Sequence, residues 1–407
     1  FHVDTALLSR FEVLAPPERR MLELVAVTGQ PLSFEVLQKC IGQPESLAAR
    51  DRLLSQRLLR SRTAQGRDEM EVYHDRIRAA VLRFLPAGAL RLRNQELAAA
   101  LEETDGADPE MLAVRYQDAG DPVRAATYAL AAARRAVRAL AFNKAAHFFR
   151  FAAENTPTGT PERVPIGREL GDALSNAGRC AEAALAYLEA AAGSTGLERT
   201  RLHGHAASQY LRSGYIRQGR ALLRDALRQS GIHSPSNRKL QVLCIGALRL
   251  RIRLRGLDYQ ERPESEIIPG DLFRLDLCAA AALGLSMIDP ISSAEFSSRA
   301  TLMALKFGEP YRAALSLAGE ATQLGQPGTQ EGMVKARQLL ERASGIATRI
   351  NNPHARGFVQ LMSGVVSYLE GSWKRCCQEC DAATEIFRAD CNGISWELST
   401  ASTFSFV

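Results

Sequence analysis

Tyr73-His74-Asp75-Arg76-Ile77-Arg78-Ala79-Ala80 is the stretch whose reading decides the fold, because two kinds of patterning meet there. Upstream, short helical stretches end in a pair of segments that reads as a β-hairpin. Downstream, the chain is almost entirely Ala-rich amphipathic helix. The stretch itself opens a helix over residues 75–84. On residue chemistry alone, Asp75 caps that helix and His74 is a satisfied turn residue.

Working back from this junction, residues 7–85 read as helices closed by the hairpin. Pro16-Pro17 opens a helix, since proline suits the first turn, where its missing N–H costs nothing. Met21, Leu22, Leu24 and Val25 supply the apolar face, and Gly29 ends the helix. Ser33 reads as the N-cap of a helix over 34–40, and Ser46 as the cap of the next, which carries Leu47, Leu53, Leu54 and Leu58. A strand over 59–63, a turn at Gln65-Gly66-Arg67-Asp68 and a return strand over 70–73 complete the unit. Three helices and a hairpin, in that order, are a winged helix.

Working forward, helices of 12 to 20 residues alternate with turns such as Ala119-Gly120-Asp121-Pro122, Ala177-Gly178-Arg179 and Ser213-Gly214-Tyr215. A periodic set of small residues runs through them. Gly171, Leu174, Ala183, Tyr187 and Ala190 have tetratricopeptide offsets, and Ala207, Tyr210, Gly219, Leu223 and Ala226 repeat them 36 residues later. Gly364, Ser367, Cys376, Cys380 and Ala383 repeat them again, with a weaker copy at Ala133, Ala136, Ala145, Phe149 and Ala152. Small residues at these offsets let paired helices approach, and stacking buries the remaining face. Residues 237–326 are less regular: Pro263 and Pro269 interrupt them, 261–270 reads as a loop, and Gly308-Glu309-Pro310-Tyr311 as a helix junction. The expected fold is mainly α: a small winged-helix domain over 1–90, a helical connector and first repeat over 91–160, and a right-handed tetratricopeptide-like α-solenoid over 161–407 that breaks off inside a repeat.

Composition narrows the function classes. The chain has 407 residues, 46% hydrophobic and 24% charged, as in ordinary soluble proteins. No run approaches the ~20 apolar residues of a membrane span, and the first 20 residues show no signal-peptide pattern. Eight cysteines in an Ala-rich helical chain of this size need no disulfides, which suits a reducing cytoplasm. The net charge of +6 lies outside residues 1–105, where 15 Lys and Arg balance 15 Asp and Glu. The chain starts at Phe1 without an initiator Met, so it reads as a piece of a longer protein.

Catalytic motifs are missing from the sequence. There is no Gly-x-x-x-x-Gly-Lys-Ser/Thr loop, no His-Arg-Asp or Asp-Phe-Gly, no His-Glu-x-x-His and no Gly-x-Ser-x-Gly. Whether the parent is an enzyme is left open by this segment. Arg50, Arg52, Arg57, Arg60, Arg62 and Arg67 cluster near the helix and hairpin that a DNA-reading winged helix would use. Asp51, Asp68, Glu69 and Glu71 lie among them, which favours a solvated surface over DNA. The run Arg249-Leu250-Arg251-Ile252-Arg253-Leu254-Arg255 reads by default as a solvated face, with an acidic partner, another domain or lipid headgroups as alternatives. Cys376-Cys377-x-x-Cys380, with Cys391 nearby, occupies repeat positions and lacks a neighbouring His, so it reads as core packing and not as zinc ligation. Trp373, Tyr368, Phe387, Phe148 and Phe149 read as core.

The stretch 11–29, the hairpin and Tyr73-His74-Asp75-Arg76-Ile77-Arg78 resemble the winged-helix segment of STAND-type AAA ATPases. Ala139-Leu140-Ala141-Phe142 with Ala145-Ala146, Gly284 to Asp289, Ala304 to Tyr311 and Cys391 to Leu398 extend the resemblance over nearly the whole chain. The best match is the bacterial class in which a serine/threonine protein kinase precedes the ATPase and a tetratricopeptide-like tail follows. By that resemblance His74 contacts the phosphate of a nucleotide held by the upstream domain, with Asp75 as support; Tyr73 departs from the Met of plant immune receptors. The resemblance implies ATP or ADP with Mg in upstream domains, and none in this segment. It also implies an upstream ATPase domain as intramolecular partner, and a protein or peptide on the repeats that signals or inhibits. Two alternatives remain: a transcription regulator with a DNA-binding winged helix, or a free-standing repeat scaffold.

Overall fold

The computed structural model describes residues 10–64, 66–104, 106–157 and 159–405. They form two compact units, one of residues 1–139 with 147–158, the other of 140–146 with 159–407. The fold is mainly α, a small winged-helix domain followed by a tetratricopeptide-like α-solenoid.

In the first unit, α1 (Pro16–Thr28) carries proline in its first turn and stops at Gly29, whose φ of +64° is the left-handed value that favours glycine. Met21, Leu22, Leu24 and Val25 are all buried, as their pattern indicates. Leu32–Ser33 forms a short strand, β1, and Ser33 also caps α2 (Phe34–Ile41), its Oγ accepting the Glu35 N–H at 3.3 Å. The next helix, α3, runs over Gln43–Ser55 and starts earlier than its sequence suggests. Gly42 is its cap and Pro44 lies in its first turn, so Ser46 sits inside the helix, fully buried, its hydroxyl donating to the Gln43 carbonyl at 2.9 Å. Leu53 and Leu58 are buried, whereas Leu47 faces solvent.

Strands β2 (Leu59–Ala64) and β3 (Arg67–Val72) pair in the register Leu59 to Val72 and Ala64 to Arg67. The expected four-residue turn therefore shrinks to two positions: Gly66 takes φ +76°, and Gln65 lies outside the described residues. Asp68 belongs to β3, opposite Thr63. Sequence reading misses β1, which pairs with β3 through Leu32 and Met70 to give the sheet order β1-β3-β2. Helix α4 (Asp75–Phe84) follows as expected, then α5 (Ala87–Glu102), α6 (Pro109–Ala119) and α7 (Pro122–Arg138). Between α6 and α7, Gly120 takes φ +79° and the Asp121 carboxylate accepts the Arg124 N–H at 3.0 Å.

Helix α8 (Phe142–Asn155) runs through the boundary between the units. In the second unit, α9 (Arg163–Asn176) pairs with α10 (Cys180–Ala192), and α11 (Gly196–Arg212) with α12 (Ile216–Gln229). Likewise α14 (Pro269–Leu285) pairs with α15 (Pro290–Phe307), α16 (Pro310–Gly325) with α17 (Gln330–Arg349), and α18 (Pro353–Leu369) with α19 (Trp373–Asp390); α20 (Ser395–Ser405) packs on α19. The small positions do what the repeat requires. A Cβ added at Gly171 would come within 2.5 Å of the Tyr187 ring, one at Gly219 within 2.8 Å of Leu211, and one at Gly364 within 2.6 Å of Cys380 Sγ. Gly357 is equally close to Phe387.

In the second unit, two further features depart from the sequence reading. Pro269-Gly270 opens α14 instead of closing a loop, because Pro269 takes the first helical position. Trp373, expected in the core, is half exposed at the start of α19 and packs edge-on against Tyr368, while Phe387 and Phe149 are buried. Between α12 and α14 runs α13 (Arg238–Arg255), which has no counterpart in the paired scheme and packs on α15. Far along the chain, Ser395 Oγ donates to the Asn176 carbonyl at 3.1 Å and the Arg212 guanidinium lies over the Trp396 ring. The last helix of the second unit thus returns to its first two pairs.

The close approaches set a stability test. Gly171→Ala should destabilise the chain by about 1–3 kcal/mol in urea denaturation, since Tyr187 must shift. Gly345→Ala, in α17 with nothing within 4 Å of its added Cβ, should be neutral or stabilising by up to about 1 kcal/mol.

Candidate functional site

The start of α4 is built by its own histidine. His74 is extended, φ −152° and ψ 144°, and its Nδ1 accepts the Arg76 N–H at 3.2 Å, so His74 and not Asp75 is the N-cap. Asp75 instead lies in the first turn, where its negative charge complements the helix dipole. Its carboxylate makes no hydrogen bond to the ring. The consequence for His74 is chemical. A neutral imidazole whose Nδ1 accepts must carry its proton on Nε2. The cap therefore presents Nε2–H as a donor, and the residue is exposed.

His74 stands at the edge of a cleft of about 300 Å³ between the C-terminal end of α1 and the start of α4, with Arg60, Glu71, Tyr73 and Arg78 also in its walls. Two arginines finish the C-terminal end of α1, Arg78 from the cleft wall and Arg115 from the interior. Arg78 Nε donates to the Ala26 carbonyl at 3.0 Å, and Arg115 Nη1 donates to the Val27 carbonyl and to Asn94 Oδ1, each at 2.9 Å. They satisfy carbonyls that a helix end leaves without partners and place positive charge at its negative pole. Arg115 is nearly fully buried. Burial lowers its pKa, Asp118 opposes that, and the neighbouring Arg78 adds to the lowering. Gly29 makes room for the arrangement: a Cβ there would lie 2.6 Å from Arg78 Nη2. The sequence signals this need only through the glycine stop. It does not reveal that arginines from α4 and α6 would meet it.

His74 and Asp75 are adjacent in the chain, and the fold brings Arg60, Glu71 and Arg78 to them. These residues fit one contact to a phosphate oxygen, an exposed N–H beside a guanidinium. They do not form a phosphate cradle. Four of the six arginines weighed for DNA, Arg50, Arg52, Arg60 and Arg62, are paired with carboxylates. Arg60 pairs with Glu71 at 2.8 Å and Arg62 with Glu69 at 3.0 Å, directly across the hairpin register. Arg52 reaches the buried Glu18 at 2.8 Å, and Arg50 lies between Asp51 and Asp68. In the second unit, Cys376 and Cys380 are buried in the α18–α19 contact, and burial pushes the Cys380 thiol up to about 12. A protonated thiol of this kind packs as a small hydrophobe. Among the described residues, no helix is long and apolar enough to cross a membrane.

No protein-family model matches the chain, and no curated protein sequence matches it. Among solved structures, it is similar to a Signal Transduction ATPase with Numerous Domains (STAND) protein with a tetratricopeptide repeat sensor from Pyrococcus horikoshii, at 10% sequence identity and a TM-score of 0.41. That similarity covers 99% of this chain and 55% of the other, so the chain spans about half the length of that protein.

Two measurements check the site. Arg115→Met should cost about 1–3 kcal/mol in chemical denaturation, because Val27 and Asn94 lose a buried donor. Long-range proton–nitrogen NMR at neutral pH should find the neutral His74 ring protonated on Nε2; an Nδ1–H ring would contradict the cap.

Proposed function

We propose that this chain is the regulatory and protein-interaction segment of a signal-transduction ATPase of the STAND type, with a bacterial serine/threonine protein kinase as the effector of the whole protein. The observation that carries the reading is the His74 cap. It leaves Nε2–H exposed at the edge of a cleft, where a phosphate oxygen of a nucleotide held by a neighbouring domain would accept it. ATP or ADP, with Mg, would be bound by domains outside this segment, in the cytoplasm. His74 would favour the diphosphate state, and a ligand that prefers one state shifts the balance by that difference in affinity. The paired helices of the second unit supply the surface on which a protein partner would bind or through which the ATPase would be held inactive.

The transcription-regulator alternative needs a basic face on the winged helix, and four of its arginines are spent on carboxylates.

His74→Asp tests the reading in the full-length parent protein. Aspartate is a good N-cap, so the helix is retained while the donor becomes a negative charge. The loss of one hydrogen bond to a charged oxygen is worth about 1.5–3 kcal/mol, or roughly tenfold to a hundredfold weaker ADP retention, with raised basal activity. Unchanged retention and unchanged basal activity would sink the nucleotide-sensing role.

A further inference from the structure

Helix α13 carries apolar residues on two opposite sides, and only one of them is covered. The side facing α15 and α16 is mixed: half-buried Cys244, Ile245 and Leu248 share it with polar groups. Arg238 makes two hydrogen bonds of 2.9 Å to Asp289, Gln241 donates to Glu295 at 2.8 Å and to Ser292 at 3.1 Å, and Arg249 pairs with the buried Glu320 from α16 at 3.0 Å. Ile252 is the one apolar side chain of α13 that is buried. The opposite side is apolar and open. Leu240, Leu243, Leu250 and Leu254 are 56, 69, 54 and 79% exposed, and Ala247 between them is exposed too.

Those five positions are spaced three, four, three and four residues apart. That is the seam of a two-helix coiled coil, about 21 Å long at 1.5 Å per residue. One exposed leucine is ordinary, but a continuous line of them marks an interaction surface. Lys239, Arg251 and Arg253, all exposed, border the line, and α13 contains six basic residues and no acidic one. Beside Ala247, Gly246 leaves open space, with nothing within 4 Å of an added Cβ, so a second helix can come close at mid-seam.

We infer that the solvent face of α13 is the docking site for an amphipathic helix of a partner protein, with aliphatic residues on its own seam and Glu or Asp on both borders. Charge selects this occupant. A second copy of the chain would set arginine against arginine across the seam. A lipid surface suits a broad apolar face with aromatic anchors, whereas this stripe is one seam wide and α13 has no Trp, Tyr or Phe. The inference is independent of nucleotide sensing by His74, and either can fail alone.

The test uses the chain of residues 1–407 and three probes: a fluorescent three-heptad peptide with Leu on its seam and Glu on its borders, the same peptide with Lys on its borders, and phosphatidylserine vesicles. The Glu peptide should bind, more weakly as salt rises, and Leu243→Ser with Leu250→Ser should weaken it at least about tenfold. Both leucines are exposed, so the fold should persist by circular dichroism. Arg251→Glu with Arg253→Glu should turn the preference toward the Lys peptide. Three results would each overturn the inference: equal binding of both peptides by the unaltered chain, binding of vesicles but not of peptide, or binding of none of the probes.

Discussion

Several helix pairs in the second unit come together where one helix gives up its side chain. At Gly171 the ring of Tyr187 occupies the place a Cβ would take, and Gly219, Gly357 and Gly364 yield in the same way to Leu211, Phe387 and Cys380. Interiors pack at crystal-like density, so each such notch fixes how far and in which register its helix pair can slide. Leu174, Ala183 and Ala190, at the other repeat positions, are all buried. Small errors at any one notch would accumulate along the array. Its far end instead meets its near end, with Ser395 on Asn176 and Trp396 under Arg212.

The array breaks its own rule at α13. There the contact includes Arg238, Gln241 and Arg249 against Asp289, Glu295 and Glu320, and the last two carboxylates are essentially inaccessible to water. Burial raises the Glu320 pKa, and Arg249 with Ser297 and Ser298 opposes the rise. A buried ion pair contributes little net stability, because desolvation offsets its attraction. Hydrogen bonds as well as apolar packing therefore act on the face of α13 that turns inward. Cys244, Ile245, Leu248 and Ile252 share that covered face, while Leu240, Leu243, Leu250 and Leu254 are left outside.

In the winged helix, one residue joins structure to the proposed chemistry. As the cap of α4, His74 uses Nδ1, and the tautomer this imposes leaves Nε2–H outward. The cap and the proposed contact therefore use different atoms of the same ring. Beneath it, the α1 end is held by Arg78 and Arg115, which tie α4 and α6 to the first helix.

Local chemistry was legible in the residues themselves. Proline starts, glycine stops and the Ser33 cap act within a few residues, so α1 and α2 could be read directly, as could the hairpin and the phase of the small residues in the repeats. Of the candidate site, His74 and Asp75 could be singled out, but their roles as cap and first-turn acid were reversed, because an imidazole and a carboxylate compete for the same N–H and only the backbone angle at His74 decides between them. The tertiary structure alone placed β1 against Met70, brought Arg78 and Arg115 to the end of α1, turned the leucines of α13 to solvent and joined Ser395 to Asn176. Each of these depends on partners far apart in the chain. Any arginine can reach a carbonyl and any leucine can be buried, so composition and spacing leave the choice open, and packing makes it.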